Sequence, residues 1–322
     1  MPLVEVAERT WRLGSDYGGR DLFQYLIVGD ERCLLVDAGL SRTPRETILP
    51  ALRDLAIEPS CVEWVVVTHP DLDHQGGLAA LMDVLPLSTS ACGVADRPMV
   101  EDPHRLIADR YEAYAADHGL AYEPSERLAM LADAGAPVTI GLGLVGREVI
   151  ELGGRRVQVL NAPGHSTGHL VLHELSTGLL FSSDAVQGKM CPDKEGECAL
   201  PPTYEEVDAY LGTIEMLETL APSEIHSGHW PAKADADVVA FLQESREFVF
   251  AADEVIRTRL SRPATARDLC EEVEHEIGPF GCDTTNLMFA VCGHLRRLQR
   301  VGCVKVQIDT RPLVYVSVDL DT

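Results

Sequence analysis

The sequence predicts an α/β fold whose strands deliver ligand-type side chains at their ends, followed by a helical C-terminal part. Three observations carry this expectation. The apolar, β-branched run Trp64-Val65-Val66-Val67 leads directly into Thr68-His69-Pro70-Asp71-Leu72-Asp73-His74-Gln75-Gly76-Gly77, and a helix start at Leu78 follows. A second run, 156–160, again ends in a Pro-Gly turn that carries His165. Beyond Ala232, three helical stretches and a hairpin replace the strand pattern. Loops leaving the C-terminal ends of strands are where α/β folds place their chemistry.

Length and composition bound the answer. The chain has 322 residues, 46% of them hydrophobic, enough for a large core arranged as one large domain or two smaller ones. No apolar run approaches the roughly 20 residues of a membrane-spanning helix. The start, Met1-Pro2-Leu3-Val4-Glu5, shows no basic region followed by an apolar core. A cytoplasmic location is the default expectation. Net charge is −24, from 51 acidic against 27 basic residues. Such a surface repels phosphate backbones and anionic membranes, so neither nucleic acid nor membrane is an expected partner. A small-molecule substrate is expected instead, and a homodimer is compatible with the sequence. The nine cysteines contain no C-x-x-C pair and read as free thiols in a reducing compartment.

Each element has a local reason. Short strands are expected at 4–6 and 10–13, then a strand at 22–28, a Gly29-Asp30 turn and a returning strand at 33–36. Asp37 closes that strand, and its functional reading is an acceptor orienting a metal-bound histidine. A helix over 44–55 starts with Pro44 and buries Ile48, Leu52 and Leu55. From about 96 to 137 the composition turns to Ala, Tyr, Arg and Glu, which predicts two or three inserted helices. Strands resume at 148–152 and 156–160, and a further apolar strand ends in Asp184. An amphipathic helix over 204–220 precedes the turn Ser227-Gly228-His229. Helices over 238–260, 265–276 and 283–301 and a hairpin over 304–318 suggest a winged-helix-like appendix. The expected organisation is therefore 1–232 as the catalytic domain and 233–322 as a C-terminal helical domain.

Two imidazoles and two carboxylates within His69–His74 repel one another or stay unsatisfied unless a cation gathers them. In chain order the candidate ligands are His69, Asp71, Asp73, His74, His165, Asp184 and His229. This order and context resemble the metallo-β-lactamase superfamily. Its hallmark is H-x-H-x-D-H, then a Gly-His turn, an Asp at a strand end and a final Gly-His. The resemblance covers about 1–232 and implies an αββα sandwich, two mixed sheets face to face with helices outside. It also implies a dinuclear site. His69, the residue at 71 and His165 would hold the first metal ion, Asp73, His74 and His229 the second, and Asp184 would bridge them.

One position departs from the pattern: Asp71 stands where the family has its second histidine. As an oxygen ligand it would shift preference from zinc, the default, toward iron or manganese. Falling short of the metal, it would leave the first site weak or empty. Two cations sharing a hydroxide would give a nucleophile at neutral pH, oriented by Asp73. The expected reaction is hydrolysis of an ester, thioester or lactone of a small organic substrate, roofed by the inserted helices and the 190–202 loop. A metal-dependent ribonuclease and a non-heme iron redox protein are the alternatives. Of the other histidines, His169 and His173 read as structural and His226 as a turn residue or a support behind the ligands, while His104 and His118 read as surface or capping groups and His275 and His294 as surface groups.

Overall fold

The computed structural model describes residues 3–119, 121–280 and 284–318. Two sheets face each other. The first has seven strands in sequential order: β1 (Val4–Ala7), β2 (Thr10–Tyr17), β3 (Arg20–Val28), β4 (Cys33–Val36), β5 (Val62–Val67), β6 (Thr89–Gly93) and β7 (Leu142–Leu144). Pairing is antiparallel up to β4 and parallel from β4 to β7. The second contains β8 (Val149–Glu151), β9 (Arg156–Asn161), β10 (Leu170–Glu174) and β11 (Leu179–Ser183). After a short ribbon of β12 (Cys191–Pro192) and β13 (Cys198–Leu200), it is completed by β14 (Glu224–Ser227) and β15 (Lys233–Ala234), in the order β15-β14-β11-β10-β9-β8.

Side-chain alternation fixes which face each strand buries. Leu34, Val36 and Val66 point between the sheets, where they meet Val157, Val159, Leu170, Leu172 and Phe181. Their neighbours Leu35, Val65 and Val67 point outward against Ile48, Leu52, Leu78 and Leu81 of the covering helices. On the far side, the second sheet is covered by Val207–Leu220 and Ala236–Arg259, which merge into one apolar cluster with the C-terminal helices. The result is the expected helix–sheet–sheet–helix sandwich. The helix expected over 44–55 forms in two parts, a wider turn over Pro44–Ile48 and an α-helix over Leu49–Asp54. The 96–137 stretch breaks into short helical pieces, of which Pro124–Ala134 is the longest.

The C-terminal part consists of Ala236–Arg259, Ala266–Ile277 and Leu287–Arg300, with a three-stranded sheet of β16 (Ala264–Thr265), β17 (Val304–Gln307) and β18 (Val314–Ser317). It docks through polar contacts that correct two surface assignments. His294 is fully buried. Its Nε2 meets the Tyr204 hydroxyl at 2.9 Å and its Nδ1 meets Asp253 at 3.2 Å. His118 is buried too, with Nε2 3.6 Å from the Cys292 thiol and its ring stacked on Tyr315. Local sequence hides both, because the burying partners come from distant parts of the chain. His104 and His275 do lie exposed. Among the described residues no helix is long and apolar enough to cross a membrane.

His226 is a strand residue rather than a turn residue. It lies fully buried on β14, stacked on Phe181, with no hydrogen-bond partner at either ring nitrogen. Glu224 comes within 3.4 Å of Nε2 but not in hydrogen-bonding geometry. Burial, assisted by Arg12, pushes its pKa down to about 4 from 6.5. Between those values the unfolded chain takes up a proton that the folded chain refuses. Stability is therefore lost as pH falls from about 6.5 to about 4, by roughly 3 kcal/mol for a buried group. Thermal midpoints of chelator-treated protein at pH 7.5 and pH 5 should diverge in the natural chain. The gap should narrow in His226→Leu, and an equal gap in both would disprove the assignment.

Candidate metal centre

The parallel pairing of β4 with β5 sets the first half of the site. It places Asp37, just past β4, beside Thr68, just past β5. The Asp37 carboxylate accepts from the Thr68 backbone N–H at 2.7 Å and from the Thr68 hydroxyl at 2.9 Å. It also accepts from His74 Nδ1 at 2.9 Å and from the Ser183 hydroxyl at 3.0 Å. An Nδ1–H donated to Asp37 leaves His74 Nε2 as a free lone pair, the tautomer a metal ligand needs. The loop 68–71 and the short helix Leu72–Gln75 present His69, Asp71, Asp73 and His74 in one turn of chain.

The second half comes from the other sheet. β11 and β14 run parallel, so Asp184 and His229 leave the same edge side by side. The His229 Nδ1–H is donated to the carbonyl of Asp21 at 2.8 Å, which again frees Nε2. Gly228 lies between them for want of space: a Cβ there would come within 2.6 Å of His74 and 2.7 Å of Asp184. His165 arrives from the β9–β10 loop. Asp96 holds that loop by accepting from the Ser166 hydroxyl and, at 2.8 Å, from the Gly168 N–H. Neither Asp96 nor this role is visible in local sequence.

All seven candidate ligands converge. Three donor triads each lie within 4.8 Å: His69-Asp71-His165, His69-His74-Asp184 and Asp73-His74-His229. His74 Nε2 and His229 Nε2 are 3.2 Å apart, with Asp73 3.3 Å from His229 and Asp184 3.8 Å from His74. His69 Nε2 and Asp184 Oδ1 are buried without any hydrogen-bond partner. Burial disfavours charge on these groups, and they hold it only by mutual attraction. Burial opposes the ionisation of Asp73, yet His74 and His229 pull its pKa below the ordinary carboxylate range. Burial also opposes a charged His74, but Asp73, Asp37 and Asp184 raise its pKa to about 10, so that without a cation among them these carboxylates draw onto Nε2 a proton that a bound metal ion would displace. Burial, with His74 beside it, holds His69 neutral. The convergent Nε2 atoms of His74 and His229, the orphaned Asp184 Oδ1 and the excess of carboxylate fit a divalent cation at the Asp73-His74-His229 pole.

The Asp71 pole is different, and the sequence gives no sign of why. Arg110, from the helical turn Ile107–Tyr111 of the insertion, is buried against Asp71. Its Nε bonds Asp71 Oδ1, and its Nη2 donates to Asp71 Oδ2 at 2.9 Å. Burial opposes the ionisation of Asp71, and the guanidinium reverses that, holding the pKa well below the ordinary range. Of the two histidines expected to be structural, His169 stacks on His69 at 4.8 Å between ring centres with neither ring nitrogen hydrogen-bonded, and His173 lies on β10.

A cavity of about 410 Å³ opens over Asp73, Asp184 and His229. The insertion contributes Tyr111, Tyr122 and Met130 to its lining, and the ribbon loop contributes Cys191, Leu200 and Pro201. Asn286 and Phe289 of the C-terminal part also line it.

The family model described as Metallo-beta-lactamase superfamily matches residues 18–229, a stretch holding all seven candidate ligands. The chain belongs to the metallo-beta-lactamase superfamily. Within it, the chain is similar to proteins named acyl-coenzyme A thioesterase MBLAC2. The Gallus gallus protein is 30% identical over 167 residues, covering 50% of this chain and 56% of its own. The Bos taurus protein is 29% identical over 201 residues, covering 60% and 66%. The chain thus spans between half and two thirds of the length of these relatives. A metallo-beta-lactamase family protein from Thermus thermophilus has the same fold, with a TM-score of 0.76 over 98% of this chain and 100% of its own at 22% identity.

Proposed function

We propose that this member of the superfamily is a metal-dependent hydrolase that cleaves the thioester or ester of an organic acyl group. The observation that carries the reading is the placement of the Asp73-His74-His229 pole, with Asp184, at the floor of a largely apolar cavity. Zinc suits a donor set of two imidazoles and two carboxylates. When bound, such a cation supplies Lewis acidity, activating water near neutral pH and drawing electron density from a carbonyl oxygen. The relatives named as acyl-coenzyme A thioesterases support a thioester as the bond broken.

The chain's own residues supply the rest. Asp73 stays ionised and faces the cavity, so it accepts a hydrogen bond from the attacking water and aligns it. The Tyr111 hydroxyl accepts from the Leu72 N–H at 3.3 Å, which leaves its own O–H for substrate. Burial, with Asp71 and Asp73 nearby, keeps that phenol protonated. It is the group placed to donate to the acyl oxygen or the leaving atom. Tyr122, Met130 and Phe289 form apolar walls that accept an acyl chain and shed water.

A screen of acyl thioesters, aryl esters and lactones with the zinc-loaded chain tests the reading. Thioester cleavage should dominate, vanish with a chelator and return with zinc. Tyr111→Phe should lower kcat about 10- to 100-fold, the equivalent of one charge-assisted hydrogen bond. No metal-dependent cleavage of any of the three classes would sink the proposal.

A further inference from the structure

Arg110 does more than neutralise Asp71. Its Nη2 lies 2.9 Å from Asp71 Oδ2 and 3.0 Å from His165 Nε2. Those two atoms, with His69, make up the first of the three donor triads. His165 Nε2 is itself 2.9 Å from Asp71 Oδ2. With that nitrogen unprotonated, its lone pair accepts from Arg110. With it protonated, its hydrogen goes to Asp71. In either tautomer nothing is left on it for a cation.

The guanidinium is also firmly built in. Nη1 donates to the carbonyl of His165 at 3.1 Å and lies 3.4 Å from Glu205. Its Cζ sits 5.3 Å from the ring centre of Phe289. Glu205 is in turn tied to the Tyr114 hydroxyl at 3.4 Å, and its backbone carbonyl accepts from Arg296 at 2.6 Å. Expelling Arg110 would break a fork to a carboxylate and leave a charge buried without its partner, among the costlier changes a protein interior can undergo. The residue at 71 agrees with this arrangement. A carboxylate matches the guanidinium fork with two parallel bonds, whereas an imidazole could not. No guanidinium reaches the other pole within hydrogen-bonding distance among the described residues. There Asp184 Oδ1 and the two Nε2 atoms remain convergent.

We propose that the Arg110 guanidinium stands in the place of the first metal ion, so that the chain binds one divalent cation, at Asp73, His74, His229 and Asp184. The inference rests on the reading of that second pole as a metal centre. Its consequence is a site that keeps positive charge at both poles while only one of them exchanges.

Elemental analysis of the full chain tests this, after stripping with chelator, reloading with excess zinc and desalting. The natural chain should hold one zinc per chain. Asp71→Ala should also hold one, since Asp71 is then a partner of Arg110 and not a ligand. The double variant Asp71→His with Arg110→Met should rise to two, with a circular dichroism spectrum like that of the natural chain. Two zinc ions in the natural chain, falling to one in Asp71→Ala, would overturn the proposal, and this comparison does not depend on the double variant folding. A double variant that folds yet stays at one zinc would also overturn it. No zinc in the natural chain would instead remove the metal-centre reading on which the inference rests.

Discussion

Asp184→Ala is expected to reduce hydrolysis to background and to weaken metal binding by more than the roughly 10- to 100-fold typical of losing a group that only orients a ligand. One oxygen of Asp184 has no partner. Its Oδ1 is buried with no hydrogen-bond partner, 3.8 Å from His74 Nε2, and its Oδ2 lies 3.7 Å from His229 Nε2. In the metal-free chain that oxygen is an unsatisfied acceptor, which costs free energy. Alanine removes the penalty along with the ligand. The metal-free variant should therefore melt no lower than the natural chain, while the rise in melting temperature on adding zinc should disappear. Binding only to the folded state is what produces that rise, so its loss reports affinity directly. Paired melting curves with and without zinc, together with thioesterase assays, check both halves. A variant that keeps full activity, or one that still gains the same stability from zinc, would remove Asp184 from the metal centre.

How far this arrangement could be read from sequence depended on the range of each signal. The sheets were legible because the signal is local: Leu34, Leu35, Val36 and Val65, Val66, Val67 are unbroken apolar runs, as strands buried on both faces require. The ligand positions were legible because each is an imidazole or carboxylate set directly after an apolar strand or in a glycine turn. What decided the chemistry of the first pole was not local. Arg110 lies 39 residues from Asp71, in a stretch whose composition is that of an ordinary solvated helix. Only a surplus of negative charge around Asp71 could have pointed to it, and that surplus is equally well met by a metal ion. Asp96 and Phe289 reach the site only through tertiary packing. His294 was misread for the same reason, since Tyr204 and Asp253 bury it from two other parts of the chain.

Asp37 should show the opposite signature to Asp184, because it is saturated where Asp184 is orphaned. Four donors converge on its carboxylate, from Thr68 twice, His74 and Ser183, and it is 2% exposed. Its backbone sits in the left-handed region at φ +62. Asparagine tolerates that conformation far better than alanine does, so Asp37→Asn isolates the side-chain chemistry from backbone strain. The amide keeps one acceptor oxygen and turns the other position into a donor. That NH₂ faces either the His74 Nδ1–H or the Thr68 backbone N–H, and in both places donor meets donor. If His74 responds by moving its proton to Nε2, the lone pair aimed at the metal is lost. Asp37→Asn should therefore lose metal affinity about 10- to 100-fold. It should also destabilise the metal-free chain, because buried donors are left unmet at about 1–3 kcal/mol each. Asp37→Ala should be worse on both counts, as it strips every acceptor and adds strain. Denaturant titration of the metal-free proteins and zinc titration of the folded ones separate the two effects. Full zinc affinity in a stably folded Asp37→Asn would show that the His74 tautomer is set by something other than this carboxylate.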